Sequence, residues 1–107
     1  MKQPAKPIPY TQFKYKEIYN RFIQLITECE IVPSEIYYDT DRYFHNDTIL
    51  FKYHARENEI AIYPEHIKRK LDPKLISHLS DIQIINIIQS VLKHRFTRVT
   101  TFKIIEL

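Results

Sequence analysis

The sequence predicts a single α+β domain with an N-terminal helix, a small antiparallel sheet, a long helix packed across the sheet and a C-terminal strand. Three observations carry this expectation. Residues 48–63 contain two short alternating runs joined by a polar connector, the pattern of a hairpin. Residues 15–29 repeat apolar side chains at spacings of three and four. Residues 79–96, LSDIQIINIIQSVLKHRF, form the longest apolar-periodic run and carry both a start and a stop signal.

A chain of 107 residues has room for one core. With 44% hydrophobic and 27% charged residues it has the composition of a globular protein, not a disordered one. No apolar run approaches the roughly 18 residues of a membrane span. MKQPAKPIPY has no apolar signal region, so the expected location is cytoplasmic, in the producing cell or, for a viral protein, in its host. Eighteen isoleucines against three valines, with abundant Lys, Tyr and Asn, suggest an AT-rich coding sequence such as that of a low-GC bacterium, its phages or an AT-rich virus.

Glycine is absent, where an average chain of this length has roughly seven. That excludes glycine-rich phosphate loops, the dinucleotide fingerprint and the G-x-S-x-G nucleophile elbow. Cys29 is the single cysteine, so neither an intrachain disulfide nor a Cys-based zinc site can form. It reads as a small buried apolar residue or, alternatively, as a reactive thiol. No cofactor is expected.

Taken in order, residues 1–10 hold Pro4, Pro7 and Pro9 and read as an extended arm; residues 11–107 form the domain. Thr11 is placed to cap a helix over about 12–29, whose apolar face is Tyr15, Ile18, Tyr19, Phe22, Ile26 and Cys29. Pro33 ends it. Residues 35–45, EIYYDTDRYFH, read as strand broken near Asp39–Asp41. In 48–54, Ile49, Phe51 and Tyr53 fall on one face, and Leu50, Lys52 and His54 on the other. Residues 59–63 supply the second hairpin strand. A short helix over 65–71 is expected to stop at Asp72-Pro73, with 74–78 leading into the long helix. The β-branched tail 98–107 reads as a last strand.

The long helix, 80–96, is the best specified element. Ser80 at the N-cap with Gln83 three positions on makes a capping box, and Leu79 with Ile84 is spaced for a hydrophobic staple. Asp81 suits the positive end of the helix dipole; Lys93, His94 and Arg95 suit the negative end. Ile84, Ile85, Ile87, Ile88, Val91 and Leu92 form its apolar stripe.

The order of helix, hairpin ending in ENEIAIYPEHI, and Ile-rich helix resembles the small SprT-like metalloprotease domain of the zincin class. That family carries H-E-x-x-H on the helix, with two zinc-binding histidines and a glutamate as general base. The matching positions here are Ser90-Val91-Leu92-Lys93-His94, so only His94 agrees. What the resemblance implies is a relative with the scaffold but without zinc or hydrolysis. His94 also reads as a cation at the helix C-terminus.

None of the five histidines makes an i,i+4 pair on an expected helix; a metal site assembled only in three dimensions, for instance by His66 with His78, stays open. Asp39, Asp41 and Asp47 read as turn residues. The functional expectation is a non-enzymatic binding protein that docks on, and can inhibit, a partner protein. The alternative is a nucleic-acid-binding accessory protein. Both use the same residues: Tyr37, Tyr38, Tyr43 and Phe44 as exposed ring surface, and the basic clusters Lys68, Arg69, Lys70 and Lys93, His94, Arg95, Arg98.

Overall fold

The computed structural model describes residues 15–37 and 39–106. Helix α1 (Lys16–Glu28) leads into strands β1 (Glu30–Pro33), β2 (Thr40–His45), β3 (Thr48–His54) and β4 (Glu59–Ile62). Helices α2 (Pro64–Lys70), α3 (Pro73–Ile76) and α4 (Asp81–Arg95) follow, and strand β5 (Thr101–Ile104) comes last. The strands lie in one sheet in chain order. This is the α+β domain expected, with α4 packed on the sheet. The proline arm and the Thr11 cap fall outside the described residues.

β1 to β4 are antiparallel neighbours, but β5 runs parallel to β4. The sheet is therefore mostly, not wholly, antiparallel. A parallel neighbour cannot be reached by a hairpin, and α2, α3 and α4 form the crossover that delivers it.

Without glycine, the tight turns fall to Asn and Asp, whose short polar side chains tolerate positive φ best. Asn46 and Asp47 both have positive φ, 48° and 66°, as a two-residue hairpin turn of the primed kind requires. Asp39 at 62° and Asn58 at 53° serve the neighbouring connections.

Four details differ from the sequence reading. The segment 35–45 is not one interrupted strand. β1 is a separate strand ahead of it, and after β1 the Ser34 hydroxyl accepts the N–H groups of Ile36 and Tyr37. Asp72-Pro73 does not merely stop α2. The Asp72 side chain accepts the Lys74 N–H and Pro73 sits at the first position, opening the one-turn α3. Leu50 does not share the polar face of Lys52 and His54. Tyr43 faces Phe51 while Phe44 faces Ile49, so Leu50 is the extra residue of a bulge, and both Leu50 and Phe51 are fully buried. β5 is shorter than the tail 98–107 suggested.

All the large buried side chains sit on one face of the sheet. Phe22, Leu25 and Ile26 of α1, Phe51, Ile60 and Ile62 of the sheet, and Ile84, Ile88, Val91 and Leu92 of α4 share one core. At roughly 1.5–3 kcal/mol per fully buried side chain, this layer supplies most of the driving force. Tyr15, Ile18 and Ile87 fasten α1 to α4. The α4 capping box is formed in both directions, Ser80 Oγ accepting from Gln83 N–H and Gln83 Oε1 from Ser80 N–H. Phe96, the C-cap of α4, lies against Tyr43, Phe51 and Tyr53, with ring centroids 5.9, 5.9 and 4.7 Å away.

The other face of the sheet carries no helix among the described residues. Register places Val32, Arg42, Lys52, Ala61 and Lys103 there, alternating with the core-facing side chains.

Candidate docking site

β5 ends the sheet, and among the described residues nothing pairs with its outer side. Thr101 N–H donates to Asn58 and Ile105 N–H to Ile62. In a parallel ladder these bonds belong to alternate residues, so Thr101, Lys103 and Ile105 face β4. Phe102 and Ile104 consequently turn both N–H and C=O outward. Their side chains pack against the core, and those of Thr101 and Lys103 lie on the open face.

α4 runs beside this edge and makes a wall. Asn86, Gln89, Lys93 and His94 line a shallow groove with Thr100 and Phe102. Farther along, Ile85, Lys68 and Arg69 line a second hollow of about 410 Å³ with Ile104 and Ile105. The two basic clusters expected from the sequence thus flank opposite ends of β5. Their members differ in how free they are. Lys68 is held by Asp81 at 2.9 Å and Glu65 at 3.1 Å, and these hydrogen bonds raise its pKa. Lys93 donates to the carbonyls of Thr97 and Val99, closing the turn after α4. The Arg95 guanidinium lies over the Phe96 ring, 5.8 Å from its centroid. Arg69, His94 and Arg98 are exposed, and Lys70 is half-buried.

The tyrosines are not gathered with these cations. Tyr43 is 6% exposed and stacked on Phe51 at 4.3 Å, so it is a core residue and not ring surface for a partner. It sits on the inward side of β2, a consequence of the register and not of the Tyr-rich composition. Phe44 is half-buried, with the Arg42 guanidinium over its ring. Tyr37 is 66% exposed and belongs to a different groove, on the open sheet face. Tyr38 lies outside the described residues.

The zincin positions are dispersed in the same way. Val91, where a general base would stand, points into the core, while Ser90 and His94 face the groove beside β5. No group of three His, Cys, Asp or Glu residues that could hold a metal occurs among the described residues. His66 bonds the Ile49 carbonyl through Nδ1 and stacks on Tyr63. Burial pushes the Cys29 thiol up to about 11, which favours the protonated thiol over the thiolate at neutral pH.

No family profile, curated protein or solved structure matches this chain.

Sequence reasoning missed the β5 edge because its openness depends on the parallel register. It also missed Arg42 and Lys103, which become neighbours of Lys52 only through strand pairing. The alternation of 48–54 had already put Lys52 on a polar face, and that was the one available signal.

Proposed function

We propose that this protein is a non-enzymatic binding protein that docks on a partner protein by taking an extended segment of it as a sixth strand along β5. The observation that carries the reading is the pair of residues Phe102 and Ile104, whose backbone donors and acceptors face outward beside a helix-walled groove. Main-chain bonds to such an edge supply affinity, and alternate side chains of the guest supply specificity. Guest side chains on the inner side would lie against Phe102, Ile104 and the α4 wall. Those on the outer side would meet Thr101 and Lys103, so a guest alternating apolar with polar or acidic residues fits.

Selection of binders from a library of short displayed peptides tests this. Ile104→Pro removes one outward donor while leaving the bonds to β4 in place. Ile104→Ala removes the side chain but keeps the donor. The expected result is at least about tenfold weaker peptide binding for the proline variant than for the alanine variant, or about 1.4 kcal/mol. Equal binding by the two variants, or an equal loss from proline at Ile31 on the opposite edge, would exclude β5 as the site.

A further inference from the structure

The open face of the sheet has a feature that meets the β5 edge only at Lys103. Cross-strand partners form an unbroken line across it: Val32 opposite Arg42, Arg42 opposite Lys52, Lys52 opposite Ala61, and Ala61 opposite Lys103. Strand spacing of ~4.8 Å puts Arg42 and Lys103 about 14 Å apart, with Lys52 between them. The small Ala61 side chain lowers the floor between the two lysines. The resulting groove has a volume of about 700 Å³.

Arg42 and Lys52 are directly opposed like charges in the centre of the sheet, an arrangement that costs stability. Neither has a carboxylate partner among the described residues. The Arg42 guanidinium donates only to the carbonyls of Val32 and Pro33, at 3.4 and 3.3 Å. The Lys52 ammonium sits 5.8 Å from the centroid of the Tyr63 ring. Lys103 is only loosely paired, 3.8 Å from Glu59. Tyr37, an exposed ring with no stacking partner among the described residues, stands at the rim. Of the other charges at the groove, Arg56 is paired with Asp39 at 3.3 Å, and Glu57 and Glu59 lie on the β3–β4 side, away from Arg42, so Arg42 and Lys52 are the cations left without a carboxylate among the described residues.

We infer that this face binds single-stranded nucleic acid, with backbone phosphates along Arg42, Lys52 and Lys103 and a base stacked on Tyr37. Cations in a line, two without a carboxylate partner and one loosely paired, match a chain of phosphates, and an exposed aromatic ring takes the face of any base. The ring favours a single strand, because the bases of a duplex are already stacked on one another. This face and the β5 edge share Lys103 alone; Arg42, Lys52 and Tyr37 lie away from β5 and take no part in strand addition.

The test is fluorescence anisotropy with labelled oligothymidylate and oligouridylate, and with a duplex of equal length, over a range of salt. Three neutralised phosphates predict a slope of log K against log salt of about −2, and Lys52→Gln should reduce it to about −1.4. Tyr37→Ala should weaken binding about tenfold at every salt concentration, leaving the slope unchanged. Lys52→Gln should melt no lower than the parent, since it relieves the like-charge pair, so lost binding cannot be lost folding. Absence of binding at low salt, tighter binding of the duplex, or a loss confined to Arg69→Gln and Arg98→Gln would each overturn the inference. Ile104→Pro should leave nucleic-acid affinity unchanged, which keeps this result separate from the fate of the docking reading.

Discussion

At the β1 edge Pro33 has no N–H to offer and Arg42 occupies its carbonyl, whereas at the β5 edge Phe102 and Ile104 keep both groups. Ser34 N–H donates to Thr40 across the β1–β2 pair, so by alternation it is Ile31 and Pro33 that face away from β2. Proline and a long cation are common means by which sheets avoid pairing with other chains. The β1 edge has both; β5 has no proline, and its one cation, Lys103, reaches toward Glu59 and not to the outward groups of Phe102 and Ile104. The difference concentrates pairing capacity at a single strand. The open edge still disfavours its own copy in one register. Two β5 strands paired through Phe102 and Ile104 would set Lys103 opposite Lys103, a repulsive contact. A guest with an acidic or neutral residue there would not meet that penalty.

The sharpest way to break the comparison is proline on the inner side of β5. Lys103→Pro removes the donor that faces β4 and leaves a buried acceptor on that strand unpaired, so it should cost about 1–3 kcal/mol by urea unfolding. Ile104→Pro, one position along, should cost clearly less. A reversed order would show that the outward and inward assignments of β5 are wrong. Ser80→Ala removes the capping box from α4, the wall of the β5 groove, and should cost about 1 kcal/mol. Its peptide affinity should fall with it, while the β1 side is untouched.

Opening the closed edge is the complementary experiment. Pro33→Val combined with Arg42→Ala restores an outward donor and frees the carbonyl at β1. Light scattering should then show concentration-dependent association absent from the parent. A double variant that stays monomeric would mean that the block lies elsewhere.

The smallest effect concerns the root of β1, where Glu28 at the end of α1 accepts a 2.8 Å hydrogen bond from His45 Nε2. That bond holds the Glu28 carboxyl below the ordinary carboxylate range. A carboxyl whose pKa is lowered by folding stabilises the fold above its unfolded value, and the contribution is lost as pH falls through the folded value. Glu28→Gln should therefore flatten the acid side of the melting-temperature profile and leave peptide binding at β5 unchanged. An acid limb identical to the parent's would remove this anchor from the account.

The elements legible in the sequence were those written in local chemistry. Ser80, Gln83 and the isoleucine stripe specify α4 without reference to the rest of the chain. The alternation of 48–54 and of 59–63 likewise specifies the β3–β4 hairpin. What escaped depends on distant partners. β1 is four residues with a proline, too short to show a period, and β2 is what holds it as a strand. Leu50 obeys alternation in the sequence and breaks it in the fold because β2 is one residue short opposite it. The candidate site was legible only in part. Lys68, Arg69, Lys93 and His94 do border the β5 groove, but Tyr43 is in the core, and no local signal could align Arg42, Lys52 and Lys103.

The parallel placement of β5 also bears on when the open edge comes into being. β2, β3 and β4 can zip together through short connections, but pairing Glu59 with Thr101 closes a loop of roughly forty residues. Contacts so far apart in the chain form late, after local structure has taken shape. The exposed edge is thus a property of the finished molecule, missing from a chain in which α4 has not yet docked. A partner that pairs with β5 would act as a proofreader, engaging only copies whose crossover is complete and holding that last strand in place once bound.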